Sequence, residues 1–378
     1  MSWVSEQFFI AREINLQRMK VTVIISTPAQ YHFYKNIVRD LERRGNEVRV
    51  LYRDYGETLE VAEIEGEVFS RVRTNWDRIL KLPLDVVRAK KLLGSFKPDV
   101  VTGFEIYAPY IAKVLGSRSF VFYDSEPRSS RLLAIQMKAY LPFVDSVITP
   151  YTYLDDLGKK HLRVNSFKEL AYLHPKYFNP DPSILDELGV DKGSYAILRF
   201  NAFDAAHDIG VGGFSYRDKV ELVNRLKEDV DVVISSEGRI SRELEKYVLK
   251  ISKKKIHHAI YFAKLLVTDT QTMAFESAIL GTPTIRSNKF VDPNKEMGNF
   301  IELERHGLLI NTKDPRKAIE LAEQMAKNDK IKEIWKRRKK KFLKDKIDIT
   351  SFMVWFIENY PNSLREFKEN PELQFQFR

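Results

Sequence analysis

Short apolar runs alternate with segments whose apolar residues recur every three or four positions, and that rhythm predicts strand after helix along the chain. Val21-Thr-Val-Ile-Ile-Ser26 reads as a buried strand, Thr27 to Gln30 as a loop, and Tyr31 to Arg44 as a helix with Phe33, Ile37 and Leu41 on one face. Gly45 suits the left-handed closing position, and Glu47 to Tyr52 returns as a second strand, which completes a βαβ unit. The pattern repeats with Pro98 to Gly103 as strand, Tyr107 to Leu115 as helix, Ser119 to Phe122 as strand, a helix beyond Ser130, and Val147 to Thr149 as strand. His174-Pro175 through Pro180-Asp-Pro182 has turn and loop character, and the alternation then starts afresh. Tyr195 to Phe200, Asp231 to Ser235, Leu265 to Thr268 and Thr284 to Arg286 are the strands of that second half. Helices are expected near Asp218 to Lys227 and from Thr270 to Leu280, the latter stopped by Gly281.

A chain of 378 residues is longer than one core usually grows. The predicted architecture is α/β: two Rossmann-like, doubly wound domains facing each other across a cleft. Residues 1–18 form an N-terminal extension, 19–175 the first domain and 176–346 the second. Ile349, Met353, Phe356 and Tyr360 share a helical face that must be buried, so residues 347–378 are expected to cross back onto the first domain.

Composition narrows the chemistry. An apolar fraction of 44% with 30% charged residues is that of a globular protein. The lack of cysteine removes disulfides, thiol nucleophiles and zinc knuckles, and fits a reducing, cytoplasmic setting. Glu6, Arg12 and Glu13 interrupt the first eighteen residues, which therefore lack a secretion signal's apolar stretch, and no segment has the roughly 18 to 20 apolar residues of a membrane span. No cofactor or metal site is expected; magnesium is possible and not indicated by the residues. The net charge of +10 is concentrated between Lys330 and Lys346. Such a run is a solvated helix face or, through Lys336 to Lys346, a peripheral contact with an anionic membrane. Nucleic acid ranks last, because no aromatic residues are interleaved for base stacking.

Ligands of open α/β sheets bind outside the carboxyl ends of the strands, where helix N-termini present unpaired N–H groups to anions. Leu266 to Glu276 has that form: a strand, a polar turn of Asp269, Thr270, Gln271 and Thr272, then a helix carrying Glu276 one turn inside. Amides and hydroxyls there suit a pyrophosphate, and Glu276 suits the two ribose hydroxyls, unless Asp269 or Thr270 merely caps the helix and Glu276 is solvated. Glu105, Asp124 and Glu126 follow two strands of the first half and should gather at its cleft edge as acid–base candidates or as loop-fixing carboxylates. His32 is a candidate base or a partly exposed helix histidine. Arg199 could clamp a phosphate or pair with a carboxylate, with Asn201 beside it; Glu237 could line the same mouth, and His258 could contact the nucleotide's base unless His257 and His258 together cap a helix. The Gly210 to Gly213 loop is only a weak phosphate signal.

At Asp269-Thr-Gln-Thr272 and Glu276 the chain resembles the two-domain nucleotide-sugar enzymes of the GT-B class, especially the UDP-N-acetylglucosamine 2-epimerases, whose turn reads Asp-Ser-Gly-Gly before a diol-binding glutamate. From Met19 onward it resembles the archaeal and bacterial family of unknown function DUF354. That likeness is carried by Thr27-Pro-Ala-Gln-Tyr-His-Phe33, Glu169-Leu-Ala-Tyr-Leu-His-Pro175, Leu198-Arg-Phe-Asn-Ala-Phe203, and Val267-Thr-Asp-Thr-Gln-Thr272 with Gly281-Thr-Pro283. The resemblance implies a glycosyltransferase-like enzyme that holds a nucleotide sugar on the second domain and an unknown glycan or lipid-linked acceptor on the first. The alternatives are a non-hydrolysing epimerase and a basic, non-catalytic nucleic-acid binder.

Overall fold

The computed structural model describes residues 18–129, 131–200, 213–236, 240–289, 291 and 296–378. Two wholly parallel sheets carry the architecture. The first has seven strands, β1 (Lys20–Ile25), β2 (Glu47–Arg53), β3 (Glu67–Ser70), β4 (Val100–Gly103), β5 (Arg118–Phe122), β6 (Ser146–Pro150) and β7 (His161–Val164), in the order β3-β2-β1-β4-β5-β6-β7. The second has five, β8 (Tyr195–Phe200), β9 (Asp231–Ser236), β10 (Leu265–Thr268), β11 (Thr284–Ser287) and β12 (Ile310–Thr312), in the order β12-β11-β10-β8-β9. Each order reverses once, between β1 and β4 and between β8 and β10, and these switch points are where a crevice opens beyond the strand ends.

Both faces of each sheet are covered, so the inner strands are apolar throughout. Val21, Val23 and Ile25 pack into one core while Ile24, between them, joins Val101, Val121 and Val147 in another. The helix Pro28–Arg43 covers the first of these faces. Its start is fixed by Pro28 in the first turn, by the Thr27 hydroxyl accepting from Gln30 N at 3.4 Å, and by Ser26 N donating to Gln30 Oε1 at 2.7 Å.

The helix Ile349–Glu358 lies against the helix Pro28–Arg43. Phe356 meets Phe120 of β5 edge-on at 5.0 Å, and Asn46 Nδ2 donates to Glu358 Oε1 at 2.9 Å. The return crossing is stitched by Ile347 N donating to Asn165 O and by Ser166 Oγ donating to Ile347 O.

The basic run forms the helix Ile331–Leu343, and several of its cations are structural rather than solvated. Lys332 Nζ donates to Tyr261 O at 2.8 Å, Lys339 Nζ to Leu280 O at 3.2 Å, and Arg338 Nη1 to Gly307 O at 2.7 Å. Each acceptor belongs to the carboxyl end of a helix or to the turn that follows one: Ile256–Phe262, Thr272–Leu280 and Gly298–Arg305. Burial lowers the Lys332 ammonium to about 7 and that of Lys339 to about 8. Lys346 is buried over the rings of Tyr151 and Phe342. Lys336, Arg337, Lys340, Lys341 and Lys344 remain exposed.

Because Phe356 is fully buried, Phe356→Ala should cost about 3–5 kcal/mol in urea unfolding. A cost near zero would mean that the terminal helix is not part of the first domain's core.

Candidate functional site

The carboxyl ends of the strands place the predicted residues. Arg199 pairs in register with Thr268 across the β8–β10 switch point, and Asp269 follows β10 directly. Asp269 is buried, and its carbonyl accepts from Asn288 Nδ2 at 2.9 Å. Thr268 Oγ1 accepts from Thr270 N at 2.9 Å and lies 2.8 Å from Thr270 Oγ1, so the turn is tied to the strand it leaves. The helix Thr272–Leu280 then begins at Gln271, with no side chain capping it. Gln271 and Thr272 are exposed, so the start of this helix, where its unpaired amides and positive dipole end lie, reaches the surface.

Opposite stands a cluster from the first lobe that the sequence reading only half anticipated. Lys168 Nζ donates to Asp124 and lies 3.0 Å from Glu169 Oε1. Burial works against the lysine's charge, yet the two carboxylates hold its pKa above the ordinary value. Burial pushes the Glu169 carboxyl up to about 7 against the pull of Lys168, with Asp124 adding to the rise. Asp124, Lys168 and Glu169 share a cavity of about 80 Å³ with Gln271, Thr272 and Asn299 of the second lobe. Lys168 and Glu169 carried no motif that chemistry alone would flag; Glu169 opens a segment read only for family likeness, and Lys168 lies just before it.

Glu276 is deeper than expected. Its Oε1 accepts from Tyr172 Oη at 2.8 Å and lies 3.0 Å from His257 Nε2. Burial would raise its pKa, but the charge and hydrogen bond of His257, then His32 and Tyr172, bring it down to about 2. His257, and not the predicted His258, is the histidine that faces Glu276. Neighbours on a helix point roughly 100° apart, and His258 turns away, accepting from Asp181 N at 2.9 Å and stacking on Phe178 at 5.1 Å.

His32 joins the same cluster, stacked on Tyr172 at 5.2 Å and edge-on to His257 at 5.0 Å. Burial, then the neighbouring His257 and Lys35, lowers its pKa to about 3, with only Glu276 opposing. A ring held neutral so far below neutrality is a weak proton acceptor. The expectation of a general base does not suit this environment.

The carboxylates after β4 and β5 also diverge. Glu105 adopts φ 95°, the one left-handed conformation among the described non-glycine residues, and pairs with buried Arg78, which also donates to Gln136 Oε1 at 2.9 Å. It therefore stands apart from Asp124, which faces the cavity. Glu126 is buried, with a pKa raised first by burial, and its Oε1 accepts from Gly298 N at 2.8 Å. That bond joins the lobes at the start of the helix Gly298–Arg305, where a Cβ on Gly298 would lie 1.8 Å from Thr152 O. Thr152 and Tyr151 bond Asn299 and Glu302 of the same helix. Asn201, Glu237, residues 1–17 and the loop residues 210–212 lie outside the described residues.

Two facing parallel sheets, a cleft at their carboxyl edges and a terminal helix crossing back define the GT-B class. Solved structures share that fold: the spinosyn forosaminyltransferase SpnP (TM-score 0.61, 13% identity, 90% of this chain and 100% of that one) and the UDP-GlcNAc 2-epimerase from Neisseria meningitidis bound to UDP-GlcNAc (TM-score 0.58, 12% identity, 86% and 98%). Residues 19–361 match the model of a protein family of unknown function, DUF354, and the chain belongs to that family. An uncharacterised protein of Methanocaldococcus jannaschii, MJ0665, is 21% identical over 324 residues, which is 81% of this chain and 91% of that protein.

Two predictions follow from the interface. Gly298→Ala should destabilise the protein by about 1–3 kcal/mol, read by thermal or urea unfolding, since the added methyl meets backbone rather than a yielding side chain. His32 is neutral when folded down to about pH 3 and takes up a proton near 6.5 when unfolded. Its contribution is thus present above about pH 6.5 and is lost as the pH falls towards 3. His32→Phe should flatten the loss of stability across that window, and an unchanged slope would show that folding does not shift the titration of the ring.

Proposed function

We propose that the cleft binds a nucleoside diphosphate sugar and transfers the sugar to an acceptor held by the first lobe. The observation that carries this reading is one shared cavity: an uncapped helix start, Gln271 and Thr272, faces the ionic cluster Asp124–Lys168–Glu169. The first suits a diphosphate and its developing negative charge. The second suits sugar or acceptor hydroxyls and the proton they release. Arg199, beside Asp269, adds a cation on the phosphate side. Glu276 is buried and does not line this cavity; its Oε2, clear of the Tyr172 and His257 contacts on Oε1, would meet a ribose once the lobes part. Of the predicted acid–base candidates Asp124 stands at the cavity; Glu169, which the sequence reading did not propose, stands beside it and, able to hold a proton near pH 7, fits general acid–base work.

An epimerase acting without an acceptor needs proton-handling groups on two faces of one sugar carbon. Here both carboxylates sit side by side on a single ammonium, which favours transfer.

A cavity of about 80 Å³ is far below the roughly 300–1,000 Å³ of small-molecule pockets. Binding therefore requires the lobes to part and close again, excluding water. In calorimetric titration UDP should bind at least about tenfold tighter than uridine. Arg199→Ala should remove most of that difference and leave uridine unaffected. Equal affinity of the intact protein for both would sink the diphosphate assignment.

A further inference from the structure

The helix Asn75–Leu93 connects β3 to β4 and buries Arg78, Asp85, Val86, Ala89 and Leu93. Its other face is unusual. Leu80 is 76% exposed, Val87 61% and Leu84 49%, with Ile79 at 37%. Positions 80, 84 and 87 fall on one side at helical spacing, so these side chains form a continuous apolar stripe. Lys81, Arg88, Lys90 and Lys91, all exposed, flank it. The acids of the helix do not balance them. Asp85 is fully buried, accepting from Ser70 and Tyr107, and Asp77 is half buried in the capping turn with Thr74. Arg88 approaches Asp85 only to 3.7 Å and stays 55% exposed.

We infer that this face rests on an anionic phospholipid surface, with Leu80, Leu84 and Val87 at the headgroup–acyl boundary and the four cations on lipid phosphates. A basic helix with an apolar stripe has the form of an interfacial membrane helix. Charge selects this occupant over others. A second copy docked by a two-fold axis would set the same cations against each other, with no exposed acid on the helix to meet them. A nucleic acid would satisfy the cations and leave the apolar stripe against phosphate. The first turn is anchored at the cleft side, because Arg78 pairs with Glu105 beyond the carboxyl end of β4. A molecule lying on this helix therefore holds the first lobe's cleft edge near the membrane. This inference concerns the surface alone and stands independently of the sugar-nucleotide reading.

Sedimentation of the full chain with sucrose-loaded vesicles tests it, using phosphatidylcholine alone and phosphatidylcholine with roughly a quarter phosphatidylglycerol. The protein should pellet with the anionic vesicles, weakly or not at all with the neutral ones, and less as salt rises. The triple variant Leu80→Ser, Leu84→Ser, Val87→Ser should lose at least about tenfold in binding while keeping its circular dichroism and melting temperature. Lys336→Glu with Lys340→Glu and Lys344→Glu, on the other basic helix, should bind like the parent. The inference is overturned if the parent stays in the supernatant with anionic vesicles, or if the serine variant binds unchanged. It is equally overturned if the Lys336, Lys340 and Lys344 variant loses binding instead, or if gel filtration shows a dimer that the serine variant dissociates.

Discussion

A wholly parallel sheet is electrically polar, and that constraint organises this molecule. Every strand runs the same way, so every following helix presents its positive end at the carboxyl edge and its negative end at the opposite edge. The second domain answers at both ends. At the back, Lys339 and Arg338 reach Leu280 O and Gly307 O, and Lys332 reaches Tyr261 O. At the front, Glu126 of the first domain accepts from Gly298 N, putting a carboxylate on the start of one helix. Each such contact contributes about 0.3–1 kcal/mol at a surface and up to ~2 kcal/mol when partly buried. The helix Thr272–Leu280 differs in having its back end compensated by Lys339 and no side chain capping its front. That asymmetry leaves one positive helix end turned to the cleft.

The same interface explains why so few carboxylates are available for chemistry. Glu126 is committed to Gly298, Glu105 to Arg78, and one oxygen of Glu276 to Tyr172 and His257. A buried carboxylate keeps its charge only with such partners, and each partner then fixes its direction. Asp124 and Glu169 escape full commitment because they share one ammonium between them. Glu169 is the more deeply buried of the two, and burial pushes its carboxyl up to about 7 against the pull of Lys168.

Most of the sheet scaffold was legible in the sequence, for a reason visible in the strands themselves. Inner strands of a covered parallel sheet are apolar on both faces, and β1, β4, β5, β6, β8 and β10 read as short unbroken runs. β3, β7 and β12 carried no comparable signal: each is an edge strand with fewer buried positions, such as His161 and Arg163 in β7. A helix opening after Asp269 was legible because a polar turn between a strand and an apolar helix has few other uses; the sequence reading started it at Thr270, whereas the Thr270 amide is taken by the Thr268 hydroxyl and the helix begins at Thr272. The pairing of Lys168 with Asp124 spans 44 positions, and no local spacing records it. His257 and His258 show the remaining difficulty, since adjacent residues look alike as text and only the phase of the helix decides which one faces Glu276.

The buried cluster His32, Tyr172, His257 and Glu276 draws on four helices, Pro28–Arg43 and Leu170–Leu173 of the first lobe and Ile256–Phe262 and Thr272–Leu280 of the second. It therefore senses whether the lobes are in contact. Parting them to admit a ligand would expose His32 to water, remove the burial that keeps its ring neutral and weaken the hold of His257 on Glu276. Any separation of the lobes is therefore coupled to the protonation of His32: it costs most at neutral pH and less as the pH falls towards 3. Glu169 has the opposite preference, because its burial is most easily tolerated when it carries a proton. The two groups therefore pull on the contact in opposite directions as the pH changes, His32 favouring it above about 6.5 and Glu169 easing it below about 7.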